Sequence, residues 1–78
     1  MKLTYDPRYN IAYISLKEKS AEVETIRVSD ALNIDIAPDG TIYGIELLNA
    51  NEQLQGMAGG KLLVVNEATG TQVEMMLS

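Results

Sequence analysis

The stretch ALNIDIAPDGTIYGIELL, Ala31 to Leu48, constrains this chain most, because apolar and polar residues alternate on both sides of a Pro-Asp-Gly turn signal. The pattern predicts a β-hairpin at the centre of the fold. Its register follows from parity, since a slip of a single residue sends every side chain of a strand to the opposite face. A three-residue loop at Pro38 to Gly40 pairs Ile36 with Ile42 and sends Tyr43, Ile45 and Leu47 to the face opposite Leu32, Ile34 and Ile36. An even loop, either a tight Asp39-Gly40 turn or a four-residue Ala37 to Gly40 loop, gathers all of these apolar residues on one face. We expect the even register, with Asn33, Asp35, Gly44 and Glu46 turned outward and Ile42 the apolar exception.

Before this hairpin the same period predicts strands at Lys2 to Tyr5, Ile11 to Leu16 and, with the weakest pattern, about Val23 to Val28. Asp6-Pro7 ends the first strand, because proline cannot donate to a ladder. Lys17 to Ala21 reads as a charged loop and Ser29-Asp30 as a turn. After Leu48 the period changes. Asn49 followed by Glu52 is a variant capping box, which predicts a short helix with the Asn49 side chain accepting from a first-turn amide and Leu54 and Met57 against the sheet. On that reading Asn49→Ala costs about 1 kcal/mol. Gly59-Gly60 stops the helix, and KLLVV, NEATG and TQVEMML then read as a C-terminal hairpin. The fold class expected is therefore mainly β, α+β at the margin: an antiparallel β-meander of about four strands with one short helix and a C-terminal β-hairpin. Residues 1–78 form a single domain, with a meander and helix over 1–57 and the hairpin as an extension over 58–78.

The run Leu62, Leu63, Val64, Val65 demands cover on both faces, which one small sheet cannot give. A chain of this length buries only about 60 to 65% of its unfolded surface, and such cores rarely supply more than about 3 to 5 kcal/mol. With no cysteine and no histidine, disulfides and thiolate or imidazole metal sites are excluded, so self-association is the expected staple. We expect a homo-oligomer, a dimer first, with Leu62, Leu63, Val64, Val65, Val73, Met75 and Leu77 at its interface. Met75 and Met76 read as adaptable filler there.

The same absences remove the usual nucleophile and base pairs from Ser15, Ser20 and Ser29. Gly56, Gly59 and Gly60 lack the spacing of a phosphate loop. No catalytic residue and no cofactor is expected, and the chain reads as no enzyme. The only constellation with oxygen-ligand chemistry is Asp35 and Glu46 with Asn33 on the outward face of the central hairpin, weak candidates for a hard cation. Alternation alone also places polar residues there on a half-solvated strand. A net charge of -5 disfavours nucleic-acid phosphates and suits a small basic protein partner, with Glu18, Glu22 and Glu24 as the densest acidic patch. Neither a signal peptide, with its apolar core of about 7 to 15 residues, nor a membrane span of about 18 is legible, so a cytoplasmic protein is expected.

TYDPRYNIAYISL, then a central strand, DG, and YGIELLNA resemble the small prokaryotic family catalogued as domain of unknown function 2283. The matching positions are Tyr5, Asp6, Ala12, Tyr13, Ile14, Leu16, Asp35, Asp39, Gly40, Gly44, Ile45, Glu46, Leu48, Asn49 and Ala50. The likeness covers about residues 1 to 55; Ser15 and Asn51 depart from it, and residues 58–78 run past the family's usual end, as a dimerisation element private to this chain would. The resemblance implies no catalytic residue. Because some members are read from gene neighbourhood as antitoxin partners of small toxins, it implies an interaction module, antitoxin-like, as the function. The alternative from another class is a homo-oligomeric domain binding a small ligand or metal through Asp35 and Glu46.

Overall fold

The computed structural model describes residues 1–18, 22–55 and 60–76. Its strands are β1 (Lys2–Asp6), β2 (Ile11–Ser15), β3 (Glu24–Ser29), β4 (Leu32–Ile36) and β5 (Ile42–Leu48), followed by helix α1 (Ala50–Leu54) and the hairpin β6 (Lys61–Val65) and β7 (Gln72–Met76). The fold is mainly β, as the alternation requires, with one short helix and the C-terminal hairpin. The main sheet holds five antiparallel strands in the order β1-β2-β5-β4-β3. The five strands fall on the expected segments, in keeping with a count of about four, and β5 returns from its hairpin with β4 to pair with β2. Of the expected features, the Lys19 to Ala21 part of the charged loop, Met57 and Gly59 lie outside the described residues.

The central hairpin does not close with the expected even loop, and Ile42, expected to face outward, pairs with Ile36. The amide of Ala37 donates to Thr41 at 2.9 Å and that of Gly40 to Ala37 at 2.9 Å, closing an odd loop at Pro38, Asp39 and Gly40 that pairs Ile36 with Ile42. Asp39 Oδ1 accepts from the Thr41 amide at 2.9 Å, and Gly40 takes φ 89°, where a side chain is strained. A bulge between this pair and Asp35↔Gly44 then makes Tyr43 the extra residue, so that Ile34 faces Ile45 and Leu32 faces Leu47. Two odd irregularities restore the parity that the core needs.

Following the pairings across the strands gives two apolar rows on one face: Leu3, Ile14, Ile45, Ile34 and Ile26, then Tyr5, Ala12, Leu47, Leu32 and Ser29. The opposite face carries Thr4, Tyr13, Glu46, Asn33 and Arg27, and beside them Lys2, Ser15, Gly44, Asp35 and Thr25.

The helix does not start as expected. Asn49 lies in the left-handed region (φ 53°, ψ 46°) and its side chain makes no capping bond; its backbone oxygen instead accepts from the amides of Glu52 and Gln53. Asparagine tolerates that conformation better than most residues, which outweighs the capping preference here. The cap comes from the β1–β2 turn: Asn10 Oδ1 accepts from the Asn51 amide at 2.7 Å, Asn10 Nδ2 donates to Asn51 Oδ1 at 2.7 Å, and the Asn10 carbonyl accepts from Ala50 at 3.0 Å. Gln53 adds bonds to the carbonyls of Ala31 and Leu48. These tie α1 to the end of the sheet where β5 leaves it.

Burial is shallow throughout. Among the described residues the buried hydrophobic side chains are Ala12 and Ala50, and no large side chain is fully enclosed. Leu3, Ile14, Leu32, Ile34, Ile45 and Leu47 are half-buried, and Ile26 on edge strand β3 is exposed. The accessible surface of 5843 Å² compares with about 4,650 Å² for a folded monomer of 8.5 kDa, an excess of about 1,200 Å². The radius of gyration, 13.9 Å, likewise exceeds the roughly 11.5 Å of a compact chain of 78 residues.

Candidate functional site

On the polar face Tyr13, Thr25, Asn33, Asp35 and Glu46 line a pocket of about 240 Å³. Asp35, 6% exposed, is its base: Tyr13 donates its phenol to Oδ2 at 2.5 Å and Thr25 its hydroxyl to Oδ1 at 2.6 Å. Asn33 donates Nδ2 to Glu46 Oε1 at 2.9 Å. Residues from β2, β3, β4 and β5 thus converge, and the β2–β5 pairing brings Tyr13 within reach of Asp35. The space for the ring is provided by Gly44, paired with both Ser15 and Asp35. A Cβ built there would meet Tyr13 Oη at 2.0 Å and Cζ at 2.3 Å, so the ring lies directly over the glycine backbone.

Asp35 and Glu46, the cation candidates, do share this face, but both oxygens of Asp35 are occupied by hydroxyls. The described residues contain no group of three or more His, Cys, Asp or Glu able to hold a metal ion. The lining offers carboxylate and amide oxygens as acceptors, which suits a donor-rich cationic group better than an anion. Sequence reasoning placed Asn33, Asp35 and Glu46 here and missed Tyr13, Thr25 and Gly44. A glycine inside a strand pattern is the available signal, since it marks a close approach.

The other candidate surface is apolar. In the hairpin Leu62 faces Met75 and Val64 faces Val73, giving one wholly apolar face. The reverse face pairs Leu63 with Glu74, Val65 with Gln72 and Lys61 with Met76, and Lys61 Nζ lies 2.9 Å from Glu74 Oε1. Leu62 is half-buried, whereas Leu63, Val64, Val65, Val73 and Met75 are 46 to 57% exposed, so both faces of the hairpin stand open. Leu77 lies outside the described residues. The acidic patch retains Glu18, Glu22 and Glu24 on the surface. Asp6 is bridged to Arg8 at 3.0 Å, and the guanidinium holds its carboxyl below the usual carboxylate range. It serves the β1–β2 turn and stands apart from the pocket. Among the described residues no helix is long and apolar enough to cross a membrane.

A family model described as "Protein of unknown function (DUF2283)" matches residues 2–51, covering β1 to β5 and the first two residues of α1. The chain is also 34% identical over 73 residues to "Uncharacterized protein YuzE" of Bacillus subtilis (strain 168), a match over 87% of this chain and 57% of that protein. The chain thus spans little more than half the length of this curated relative. A match over that share of the chain necessarily reaches past residue 60 into β6, so the hairpin segment is not wholly private to this chain. No solved structure matches.

Proposed function

This chain belongs to the family of proteins of unknown function DUF2283, and we propose that it is a non-enzymatic protein-interaction module that works as a homo-oligomer in the cytoplasm. One observation carries the reading: among the described residues no large side chain is fully enclosed, while both faces of the β6–β7 hairpin are open. Burying apolar area is the main favourable term in folding and in association, at about 25 cal/mol per Å². A lone subunit leaves that term largely unused. The net charge of -5 supports a small basic protein as the further partner, and an antitoxin-like role fits that charge. Size-exclusion chromatography with light scattering tests the proposal. A dimer or larger at micromolar concentration is expected; a folded monomer up to millimolar concentration would refute the homo-oligomer.

The polar pocket favours a second reading, a small-ligand site. Asn33 engages only Oε1 of Glu46, and Asp35 forms a fixed, buried acceptor base beside it. An ammonium or guanidinium group is the chemistry such a lining recognises. Calorimetric titration with a simple guanidinium or diamine, repeated on Glu46→Gln, tests this reading. Equal heats from both proteins would end it.

A further inference from the structure

We propose that two copies of this chain associate by reciprocal exchange of their C-terminal hairpins, the Leu62, Val64, Val73 and Met75 face of each covering the apolar sheet face of the other. The inference rests on the homo-oligomer reading and goes further by naming which surfaces meet. Three observations lead to it.

The first is area. The excess of about 1,200 Å² of surface per chain comfortably exceeds the roughly 800 Å² that each partner buries in a standard stable interface. A second copy that buries this much removes about two thirds of the excess.

The second is complementarity. The hairpin face is apolar at all four positions, and the sheet rows Leu3, Ile14, Ile45, Ile34 and Ile26 and Tyr5, Ala12, Leu47, Leu32 and Ser29 contain no charged side chain. The pocket carboxylates Asp35 and Glu46 lie on the opposite face, so closing the apolar faces together does not bury them. Both surfaces are antiparallel β, which stack at about 10 Å with interdigitating side chains.

The third is closure. Pairing sheet with sheet leaves both hairpins bare, and pairing hairpin with hairpin leaves both sheets bare. An exchange covers both in one twofold step, and each contact is then made twice, as in any isologous interface. Folding a hairpin onto its own sheet is the competing arrangement. In this structure Val64, Val73 and Met75 are each more than half exposed, so their own sheet does not cover them.

The chain has no cysteine, so introduced thiols report cleanly. Full-length protein carrying both Val64→Cys and Ile34→Cys is treated with a short bismaleimide, and the linked peptides are identified by mass spectrometry. The exchange predicts a 64-to-34 link and a doubling of mass on a denaturing gel. Mixing a tagged Val64→Cys chain with an untagged Ile34→Cys chain must give the same link between the two chains. A 64-to-34 link confined to a single chain, or links only between like positions, overturns the exchange. If either occurs while light scattering still reports a dimer, the homo-oligomer reading stands and only this geometry falls. Light scattering of unlinked wild-type protein as a monomer removes both.

Discussion

Gly44→Ala isolates the contact on which the polar pocket is built. Gly44 does not occupy the left-handed backbone region, so alanine fits its conformation, and in an open strand the change stabilises by about 0.5–1 kcal/mol. Here the new methyl would lie 2.0 Å from Tyr13 Oη, 2.3 Å from Cζ and 2.7 Å from Cε1. No carbon tolerates those separations, so the ring must leave its place over β5 or the strand must shift. Displacing the ring takes the phenol from Asp35, a carboxyl only 6% exposed. Depriving a buried acceptor of a donor costs about 1–3 kcal/mol. Offsetting the backbone gain leaves a net loss of up to about 2.5 kcal/mol, which for a domain of this size lowers Tm by up to about 20 °C. Thermal denaturation followed by circular dichroism, at fixed protein concentration because self-association couples to Tm, measures it. The companion experiment places the same substitution in a Tyr13→Ala background, where the methyl has room. There it should be neutral or stabilising by about 0.5–1 kcal/mol. A Gly44→Ala protein that melts at or above wild type would refute the ring-over-glycine account.

Asn49→Gly should keep or raise Tm and Asn49→Ala should destabilise by about 1 kcal/mol, because backbone conformation and not a capping side chain sets this position; a loss of stability in the glycine variant as well would restore a role for the side chain. Arg8 depresses the Asp6 carboxyl, so the stability from this turn is present above the unfolded carboxylate pKa and fades as pH falls through the lower folded value. In Arg8→Ala an NMR titration should find the Asp6 midpoint raised, and an unchanged midpoint would show that the turn amides alone depress it. Val73→Lys places a charge in the middle of the open hairpin face, and light scattering should report at least a tenfold weaker self-association with the far-ultraviolet circular dichroism unchanged; wild-type association would remove that face from the interface.

The elements legible in the sequence are those that obey a local period. Alternation located every strand to within a residue or two, because a half-buried strand must repeat every second residue. It also fixed the face that Leu32, Ile34, Ile45 and Leu47 share, though not the places of Ile42, which pairs with Ile36, and of Tyr43, which is the extra residue of the bulge. It could not fix how, since parity is all that alternation records: an odd loop at Pro38–Gly40 plus an extra residue at Tyr43 satisfies the same pattern as the even loops it favoured. The capping box misled for a related reason. Asparagine is favoured both as an acceptor at a helix start and in the left-handed region, and only the position of Asn10 decides between them here.

The pocket lay beyond reach on different grounds. Asp35 and Glu46 were visible as outward acids, but Tyr13 joins them only because β5 pairs with β2, a contact between segments some thirty residues apart that no local pattern encodes. Once that pairing is known, the Gly44 in YGIELL acquires a purpose: it is the one position on β5 at which a ring from β2 can cross to a carboxylate on β4. The same pairing sets Ile14 and Ala12 beside Ile45 and Leu47, gathering the apolar residues on one face and the pocket on the other. A single long-range pairing therefore produces both the pocket and the apolar sheet face, and a substitution that loosens β2 from β5 should weaken the proposed cation binding and the proposed self-association together.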